Sequence, residues 1–432
     1  MTTFTELKTQ ADQLRTAGHF EEALPLYEQC WLNHRTECTK WEGWAYAHCL
    51  SKQNRYAEAL DVCRDVYKLD PTFDYIRNLY AWAIYQTEIK TDSSNNMERF
   101  LKAANAILEL TTQANSYAPY TRTVFEVIKH YKHPFKAREI LHWLAKLDVN
   151  LLSAESVAYT DSSGKNREPA SEQEEYYVAL AKAQLETAQY QACLETGQLA
   201  LKTLTQFHYN NDIWLQRNMA HAASKLGQAD RALTLLKEIL LRKRDWFIQQ
   251  DIAEIYAQLG DEQQALAYAL DAALNFGEIQ MKINLYQLLA ELLRQANKED
   301  LARKHIALIY SIRQEQNWKI DDQLQRQAKA YQLEPEMLES SENAYPQLKQ
   351  VWEKLKFENQ TEFQGVIRTI LPHGKAGFIE TRSGESYYFK VTSFKEQRSK
   401  LTDGLAVRFY VEESFDAKKN RKSQVAINIR PQ

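Results

Sequence analysis

The sequence predicts a mainly α-helical chain, an α-solenoid of helix-turn-helix repeats, that ends in a small five-stranded β-barrel. Three observations predict this fold class. Apolar residues recur at intervals of three and four up to Leu333, as amphipathic helices require. A short motif, in which a turn residue is followed five positions later by a small residue, is repeated several times within that stretch. After residue 360 the pattern becomes short apolar and polar alternations broken by Gly and Pro, which is typical of a small, curved β-sheet.

The repeated motif marks the turn inside each predicted helix pair. Its copies begin at Gly18, Asn54, Ala188, Gly227 and Gly260, with a fainter copy at Asn297. Glycine at the turn allows the chain to reverse tightly between two helices. A small residue follows the turn, so that the paired helices can approach each other closely. These small residues are Ala23, Ala59, Ala232, Ala265 and Ala302.

The spacing of the copies resembles that of a known repeat family. Clear neighbouring copies lie 36, 39, 33 and 37 residues apart, close to the ~34 residues of a tetratricopeptide repeat. Their Gly-x-Tyr-x-x-Ala pattern is also similar to that family. The resemblance implies a superhelix whose concave groove holds a protein partner. One repeat cannot bury its own apolar face, so the stacking of neighbouring repeats stabilises such an array.

The chain divides into four predicted parts: two sets of TPR-like helical repeats, a linker with one helix, and the terminal barrel. Their ranges are 1–152, 172–333, 334–360 and 361–432, in that order. A polar loop with Gly164 and Pro169 separates the two sets of repeats. The motif fades inside the first set, where the helical period still predicts two degenerate helix pairs. The helices expected there are Asp74–Lys90, Met97–Thr111, Tyr117–Tyr131 and Pro134–Leu147, and the linker helix is Tyr345–Phe357.

Two predicted strands of the terminal part carry outward aromatic side chains. They run Gly374-Lys375-Ala376-Gly377-Phe378-Ile379 and Ser386-Tyr387-Tyr388-Phe389-Lys390. Alternation along the first strand places Ala376 and Phe378 together on the outer face. Along the second strand it turns Tyr388 and Lys390 outward and the two residues beside Tyr388 inward. An outward Phe, Tyr and Lys on neighbouring strands make a stacking platform with a phosphate partner.

Five blocks of the terminal part, in order, resemble a cold-shock domain, which is an OB-type five-stranded barrel. They are Gly365 to Leu371, Gly374 to Ile379, Ser386 to Lys390, Leu401 to Phe409 and Ala426 to Ile429. The resemblance implies nucleic-acid stacking at four positions, and only the last two are aromatic in this chain. The four are Thr369, Ala376, Phe378 and Tyr388. Two missing rings correspond to a loss of roughly 2–6 kcal/mol, because a stacked aromatic contributes ~1–3 kcal/mol per base.

The predicted nucleic-acid contacts extend from the aromatic pair to nearby cations. The full set is Arg368, Lys375, Phe378, Tyr388, Lys390, Lys418, Lys419, Arg421 and Lys422. The last four belong to a basic loop, for which a solvated hairpin tip is the alternative interpretation. Residues 361–432 carry 13 Lys/Arg and 8 Asp/Glu, a net charge of +5, whereas the rest of the chain has a net charge of −8. The basic barrel suits a polyanionic ligand, and the acidic remainder of the chain suits protein partners.

The sequence offers no catalytic motif, so we expect a protein that is not an enzyme and uses no cofactor, metal or small-molecule substrate. Cys30, His34 and Cys38 share helical spacing, but without a second ligand cluster they favour buried helix packing over a metal site. All nine Trp precede the barrel and are expected mostly in helix cores. Acidic doublets such as Glu174-Glu175 are expected on solvated faces.

The five cysteines are odd in number and lie mostly within helical patterns, which indicates reduced thiols in a cytoplasmic protein. The sequence has neither the apolar run of a signal peptide nor the ~18 consecutive apolar residues of a membrane span. These observations predict a non-catalytic adaptor that binds a protein through its repeats and single-stranded RNA or DNA through its barrel. The alternatives are a pure protein-interaction scaffold and the regulatory or sensing subunit of a multi-protein complex.

Overall fold

The computed structural model of the chain describes residues 3–91, 96–334, 338–358, 360–416 and 421–432. The chain falls into two compact units, Met1–Asn218 (unit 1) and Met219–Gln432 (unit 2). The boundary between the units lies within one helix, Asn211–Lys225. Each unit has hydrophobic cores of its own.

Unit 1 consists of helices and one small hairpin. The helices are α1 (Phe4–Thr16), α2 (Phe20–Asn33), α3 (Lys40–Lys52), α4 (Tyr56–Leu69), α5 (Asp74–Ile84), α6 (Met97–Leu110), α7 (Tyr120–His130), α8 (Ala137–Leu144), α9 (Glu172–Glu186), α10 (Tyr190–Thr203) and the first half of α11 (Asn211–Lys225). A π-helical turn, Tyr85–Ile89, continues α5. Inside the predicted polar loop, strands β1 (Tyr159–Thr160) and β2 (Asn166–Arg167) pair antiparallel.

Unit 2 continues the helical pairs and ends in a β-structure. Its further helices are α12 (Ala229–Arg242), α13 (Trp246–Gln258), α14 (Glu262–Leu274), α15 (Ile283–Gln295), α16 (Glu299–Glu315), α17 (Asp322–Ala330) and α18 (Ser341–Phe357). Its strands are β3 (Phe363–Ile370), β4 (Ala376–Thr381), β5 (Ser386–Lys390), β6 (Ala406–Asp416) and β7 (Arg421–Pro431). The linker helix expected at Tyr345–Phe357 is α18, which begins four residues earlier than predicted.

The turn residue of the repeated motif adopts a left-handed backbone conformation in all six copies. The φ angles are 85° at Gly18, 59° at Asn54, 59° at Ala188, 76° at Gly227, 75° at Gly260 and 56° at Asn297. The amide of the next residue donates to the carbonyl five residues before it, at 2.8 to 3.0 Å in every copy. This bond belongs to the Schellman motif that ends a helix and satisfies one of its last carbonyls. The recurring motif therefore marks a recurring turn between two helices.

The residue five positions after each turn is completely buried. It is alanine in five copies and Cys193 in the copy that begins at Ala188, and all six are 0% exposed. A methyl group or a thiol at this position lets the second helix lie close against the first, as the sequence predicts. Because the helix pairs, their turns and their small contact residues recur, the helical part is a TPR-like α-solenoid.

The helices of the degenerate region lie where the apolar period predicts them. Three of the four begin and end within three residues of the expected positions. The exception is the stretch Asp74–Lys90, in which the α-helix gives way to the π-helical turn after Ile84. Their buried side chains, such as Phe100, Ile107 and Val127, share one core. These helices therefore continue the array even though they lack the motif.

The five strands of unit 2 close into the predicted β-barrel, in the order β3-β4-β5-β7-β6. The β5–β7 pair is parallel and the other pairs are antiparallel. The residues that fill the barrel are Ile367, Ile379, Tyr387, Phe389, Phe394, Leu401, Val407, Phe409, Ala426 and Ile429. The barrel therefore has an apolar interior of its own.

The barrel is attached to α18 through the side formed by β6 and β7. The ring of Phe357, at the end of α18, stacks on Tyr410 of β6 with centroids 4.3 Å apart. The Glu353 carboxylate lies 3.0 Å from Lys395 Nζ and 3.7 Å from Arg430 Nη2. These stacking and ionic contacts hold the barrel against the last helix of the array within unit 2.

Candidate nucleic-acid interface

Phe378 and Tyr388 lie opposite each other on β4 and β5, on the outer face of the barrel. Their rings meet edge to face, with centroids 5.7 Å apart and planes at 69°. Both side chains are half-buried, whereas Tyr387 and Phe389 beside Tyr388 are buried in the barrel core. Alternation along β5 therefore places these side chains as the sequence predicts. The pair presents two aromatic surfaces on neighbouring strands.

A glycine next to Phe378 fixes how closely the strands approach. A Cβ at Gly377 would lie 2.6 Å from the Thr369 carbonyl oxygen and 2.7 Å from the Phe389 ring. Gly377 lies on the inner face, so its missing side chain leaves room for the ring of Phe389. The outward position of Phe378 follows from this inward packing.

The two remaining stacking positions differ from each other in exposure. Thr369 is half-buried and pairs with Phe378 across β3 and β4. Ala376 was expected beside Phe378 on the outer face, but it is only 2% exposed. It begins β4, where the Leu371 amide donates to its carbonyl at 2.9 Å and closes the β3–β4 hairpin over it. The methyl group of Ala376 therefore offers no accessible surface to a base.

Arg368 lies at a β-bulge next to the aromatic pair. The pairing register shifts between Ile367 and Thr369, so Arg368 and Thr369 together face Phe378 where a regular ladder would have one residue. The Arg368 side chain is 75% exposed, and its Nε lies 3.4 Å from a carboxylate oxygen of Glu380. The bulge therefore directs a cation to the edge of the aromatic pair, and Glu380 partly neutralises it.

A groove of about 400 Å³ lies beside Arg368, and the sequence analysis did not single it out. Val366, which is 44% exposed, contributes apolar surface to it. Arg382 contributes a second exposed cation. Nothing in the sequence marks Arg382, because an exposed arginine in a hairpin is common on any surface. Only the pairing of β3 with β4 brings it into the same groove as Arg368.

The other predicted cations differ in how far the structure describes them. Lys375 and Lys390 are both exposed at the same end of the β4–β5 pairing, where Ala376 pairs with Lys390 and the Val391 amide donates to the Lys375 carbonyl at 2.9 Å. The Lys375 amide donates to His373 Nδ1 at 3.1 Å, which shapes the turn before β4. Lys418 and Lys419 lie outside the described residues, as do the side chains of Arg421 and Lys422. The structure thus brings together four predicted residues around the rings: Arg368, Phe378, Tyr388 and Lys390.

The outer face of β4 and β5 is distinct from the side of the barrel that contacts the helices. The contacts with α18 come from Tyr410, Lys395 and Arg430, which lie on β6, on the segment after β5, and on β7. A further ion pair joins Glu412 of β6 to Arg244 at 2.9 Å. Phe378 and Tyr388 lie on other strands. They therefore remain half-exposed while the barrel is attached.

The suspected metal ligands of the N-terminal helices are explained by packing. The Cys38 thiol donates to the Cys30 carbonyl at 3.3 Å, and His34 Nδ1 lies 2.9 Å from a Glu37 oxygen. Burial raises the pKa of the Cys30 thiol and raises that of Cys38 to about 11, which favours the protonated, poorly ligating form. Among the residues that the structure describes, no group of three His, Cys, Asp or Glu side chains is arranged to hold a metal ion.

Two expectations about individual side chains are corrected. Glu174 was expected on a solvated face, but it is fully buried and accepts from the His208 amide and the Asn211 side chain, both at 2.7 Å. It caps the irregular segment before α11, which sequence spacing cannot reveal. Most of the nine Trp were expected in helix cores, and Trp41 and Trp318 depart from this expectation, since they are 48% and 43% exposed. No helix in the described ranges is both long and apolar enough to cross a membrane.

Comparison with known proteins gives one family match and several distant structural likenesses. Residues 213–351 match the model of a family described as a domain of unknown function, DUF7017. No curated protein matches the chain.

Three solved structures are distantly similar to the chain. The structure of Naa15/Naa10 bound to HypK-THB matches 76% of this chain at 15% identity, with a TM-score of 0.43. The chain spans 46% of the length of that protein. Human IFIT1, as a dimer with PPP-AAAA, matches 81% of this chain and 82% of its own at 12% identity, with a TM-score of 0.35. A tetratricopeptide repeat protein from Parabacteroides merdae matches 76% of this chain and 98% of its own at 11% identity, with a TM-score of 0.29.

Proposed function

We propose that the chain is a non-catalytic adaptor that binds a protein partner through its TPR-like repeats and single-stranded RNA or DNA through its C-terminal barrel. The outward pair Phe378 and Tyr388 is the observation that carries the nucleic-acid part of this proposal. A barrel stabilised only by its interior has no need of two half-exposed rings on adjacent strands. Every base has a flat π-face, so such a pair suits unpaired bases of any sequence.

The charges around the pair support a polyanionic ligand. Arg368 and Lys390 are exposed on either side of the rings, and the barrel part of the chain has a net charge of +5. Two stacked bases would contribute roughly 2–6 kcal/mol, and the cations would add a salt-dependent contribution. The nearby Glu380 reduces that contribution, because it is 3.4 Å from Arg368.

The repeats supply the protein-binding part of the adaptor. Stacked helix pairs expose a long, continuous surface that one polypeptide partner can occupy. The attachment of the barrel to α18 through Phe357 and Glu353 gives the nucleic acid a defined position relative to the last repeats of unit 2. We place this adaptor in the cytoplasm, a proposal supported by five free cysteines, which are stable as thiols in a reducing compartment.

A pure protein-interaction scaffold is the second candidate, and a regulatory subunit of a larger complex is a variant of it. Ala376 is buried and Thr369 is not aromatic, so half of the stacking positions found in cold-shock domains cannot act here. In this case the exposed rings of the barrel would contact protein. Identification of a co-purifying partner would show whether the chain serves an enzyme complex.

Filter binding with oligo-uridine and oligo-thymidine, repeated across a salt series, tests the nucleic-acid part. We expect affinity to fall with salt, with a slope near −0.7 for each phosphate contacted on a single strand. Phe378→Ala should weaken binding by roughly 5- to 100-fold, since one stacked ring is lost. Trp318→Ala, which removes an exposed ring from the helical part, is the matched control. Absence of binding at low salt would support the scaffold instead.

A further inference from the structure

Six aromatic side chains form one continuous cluster in unit 1, here called the aromatic surface. They are Phe20, Trp41, Trp44, His48, Phe73 and Tyr75. Trp44 is central, because its ring stacks on His48 at 5.4 Å and meets Tyr75 edge-on at 5.6 Å. The members come from α2, from α3, and from the start of α5 with the residue before it. Rings from three separate helical segments thus build one surface.

The aromatic surface has an exposed side, although Phe73 is only 6% exposed and anchors it in the core of unit 1. Trp41 is 48% exposed and Tyr75 is 59% exposed, while Trp44 and His48 are half-buried. Single exposed apolar residues are normal, but contiguous exposed rings mark interaction sites. Trp and Tyr are also the residues that most often anchor protein interfaces, since they bury a large area with little loss of side-chain freedom.

Two polar atoms on the helices that carry the rings have no hydrogen-bond partner among the described residues. They are Nδ1 of His48 and Oδ1 of Asn78, and both are shielded from solvent. His48 lies one turn after Trp44 on α3, and Asn78 lies one turn after Tyr75 on α5. Shielded polar atoms are normally paired, so these two call for an explanation. An amide oxygen and an imidazole nitrogen are suitable partners for the N–H groups of a peptide main chain.

The charge close to the rings is positive. The Arg15 guanidinium lies 5.3 Å from the centre of Trp44, and Lys52 Nζ lies 5.8 Å from the centre of Phe20. Burial, Lys52 and Arg15 together lower the pKa of His48 to about 4, so its ring is neutral at physiological pH. Lys52 makes no ion pair with a described carboxylate. Arg15 lies 3.8 Å from Asp12, which also accepts the Tyr27 hydroxyl proton at 2.6 Å.

We propose that the aromatic surface binds a short acidic segment of the protein partner. An apolar or aromatic side chain of that segment packs against the rings of Trp41 and Tyr75, which contact each other with centroids 5.6 Å apart. Its carboxylates face Arg15 and Lys52, and its main chain pairs with Asn78. This inference rests on the proposed function in one respect, namely that the repeats hold a protein. It adds the location on the repeats and the chemical class of the segment that is held.

A peptide fits these observations better than a nucleic acid does. A single strand carries one negative charge per nucleotide and is held along a track of cations. The aromatic surface has three cations beside its rings, and one of them, Lys40 at 4.9 Å from the centre of Phe73, is paired with Asp70 at 2.6 Å. The chain before residue 361 has a net charge of −8, which opposes a long polyanion. A few carboxylates spaced by apolar residues match this small number of cations and a row of rings.

The test uses the full chain and a fluorescein-labelled synthetic peptide of alternating glutamate and leucine with a central tryptophan. The same peptide with lysine in place of glutamate is the charge control. We expect the acidic peptide to bind at low ionic strength, and Trp41→Ala and Tyr75→Ala each to weaken it by at least ~10-fold. Lys52→Gln should weaken it by about 3-fold, since a rim charge contributes less than an anchor ring.

Two matched variants control for unspecific effects. Tyr117→Ala removes an 82% exposed ring of the same unit, and Lys102→Gln removes an exposed lysine on α6. Neither should change the affinity for the peptide. Because Trp41 and Tyr75 are largely exposed, the variants should fold, and circular dichroism with thermal melting checks this. A lysine peptide that binds as well as the acidic one would overturn the proposal.

The remaining outcomes separate this inference from the proposed function. If no acidic peptide binds, or if Trp41→Ala and Tyr75→Ala bind it as well as the wild type, the aromatic surface is not the site. If an oligonucleotide binds in its place and is lost in the same variants, the surface takes nucleic acid and the peptide proposal is wrong. If a protein co-purifies equally with the wild type and with both variants, the adaptor proposal stands and only the assignment of the aromatic surface as the binding site is wrong. The proposal that the repeats bind a protein is itself wrong if no protein co-purifies with the wild-type chain.

Discussion

The ring of Phe357, at the last turn of α18, stacks on the ring of Tyr410 in β6, with centroids 4.3 Å apart and planes 23° apart. This contact joins a helix of the array to the barrel within unit 2. The Glu353 carboxylate, one turn earlier on α18, adds ion pairs with Lys395 and Arg430. The barrel is therefore attached by an apolar contact with ionic contacts beside it.

Loss of the Phe357 ring should loosen the barrel without unfolding it. A stacked aromatic pair contributes about 0.5–1.5 kcal/mol beyond its buried area, and the barrel keeps its own core. In Phe357→Ala with Glu353→Gln we expect calorimetry to resolve a separate, lower-temperature transition for the barrel. The variant should keep its oligonucleotide affinity, because Phe378 and Tyr388 lie on other strands. Lys400→Gln, which breaks only an exposed pair with Glu396, is the control and should melt like the wild type.

A tryptophan at Thr369 should strengthen nucleic-acid binding. Thr369 is half-buried and faces Phe378 across the strand pair, so a ring there would extend the platform onto a third strand. One added stacked base is worth ~1–3 kcal/mol, which corresponds to a gain of roughly 5- to 100-fold in affinity. Fluorescence anisotropy with oligo-uridine measures it. Thr392→Trp, an exposed position after β5, should leave the affinity unchanged, and an equal gain there would mean that stacking is unspecific.

Glycine at position 188 should stabilise unit 1. Ala188 has a φ of 59°, and a left-handed conformation costs an L-residue roughly 1–2 kcal/mol. Ala188→Gly removes that cost but adds freedom to the unfolded chain, so we expect a net gain of about 0.5–1 kcal/mol. Ala192→Gly, inside α10, should lower stability by about 0.5–1 kcal/mol. Urea midpoints that move in the same direction for both variants would contradict the left-handed turn.

The stability of unit 1 should depend on the protonation of His208. Its Nδ1 lies 2.7 Å from a buried Glu174 oxygen and its Nε2 lies 3.6 Å from Glu168. The hydrogen bond to Glu174 raises the pKa of His208 above its ordinary 6.5. A raised pKa means that the ion pair contributes fully below about pH 6.5 and is lost as pH rises through the folded-state value.

We therefore expect the unfolding free energy of unit 1 to fall as pH rises above about 6.5, where the unfolded chain has lost the His208 proton and the folded chain still holds it. His208→Gln should flatten this part of the pH profile, and denaturant unfolding at several pH values measures it. His142→Gln, at an exposed position on α8, is the control and should keep the wild-type profile. If the pH profile of His208→Gln matches that of the wild type, another titratable group is responsible for the pH dependence of the unfolding free energy.

The candidate interface was predictable where strand alternation alone decides which way a side chain points. Phe378, Tyr388 and Lys390 follow that rule, because successive residues of a strand face opposite sides. Ala376 obeys it too, yet the hairpin before β4 covers it. Arg382 joins the groove only through pairing between strands. The aromatic surface of unit 1 escaped prediction because Trp41 and Tyr75 lie more than 30 residues apart, and isolated helical patterns place such rings in cores.

Local pattern was enough to establish the helix pairs, the tight turns between them, the small residues after these turns and the five-stranded barrel. Each of these depends on side-chain periodicity and backbone conformation within a few neighbouring residues. Other features depend on contacts between segments that are distant in the sequence. They are the burial of Glu174 against His208, the attachment of the barrel through Phe357 and Tyr410, and the contact between Trp44 and Tyr75. Such contacts form only when helices and strands pack against each other, because packing determines which of their faces meet. The local sequence pattern does not specify which faces these are.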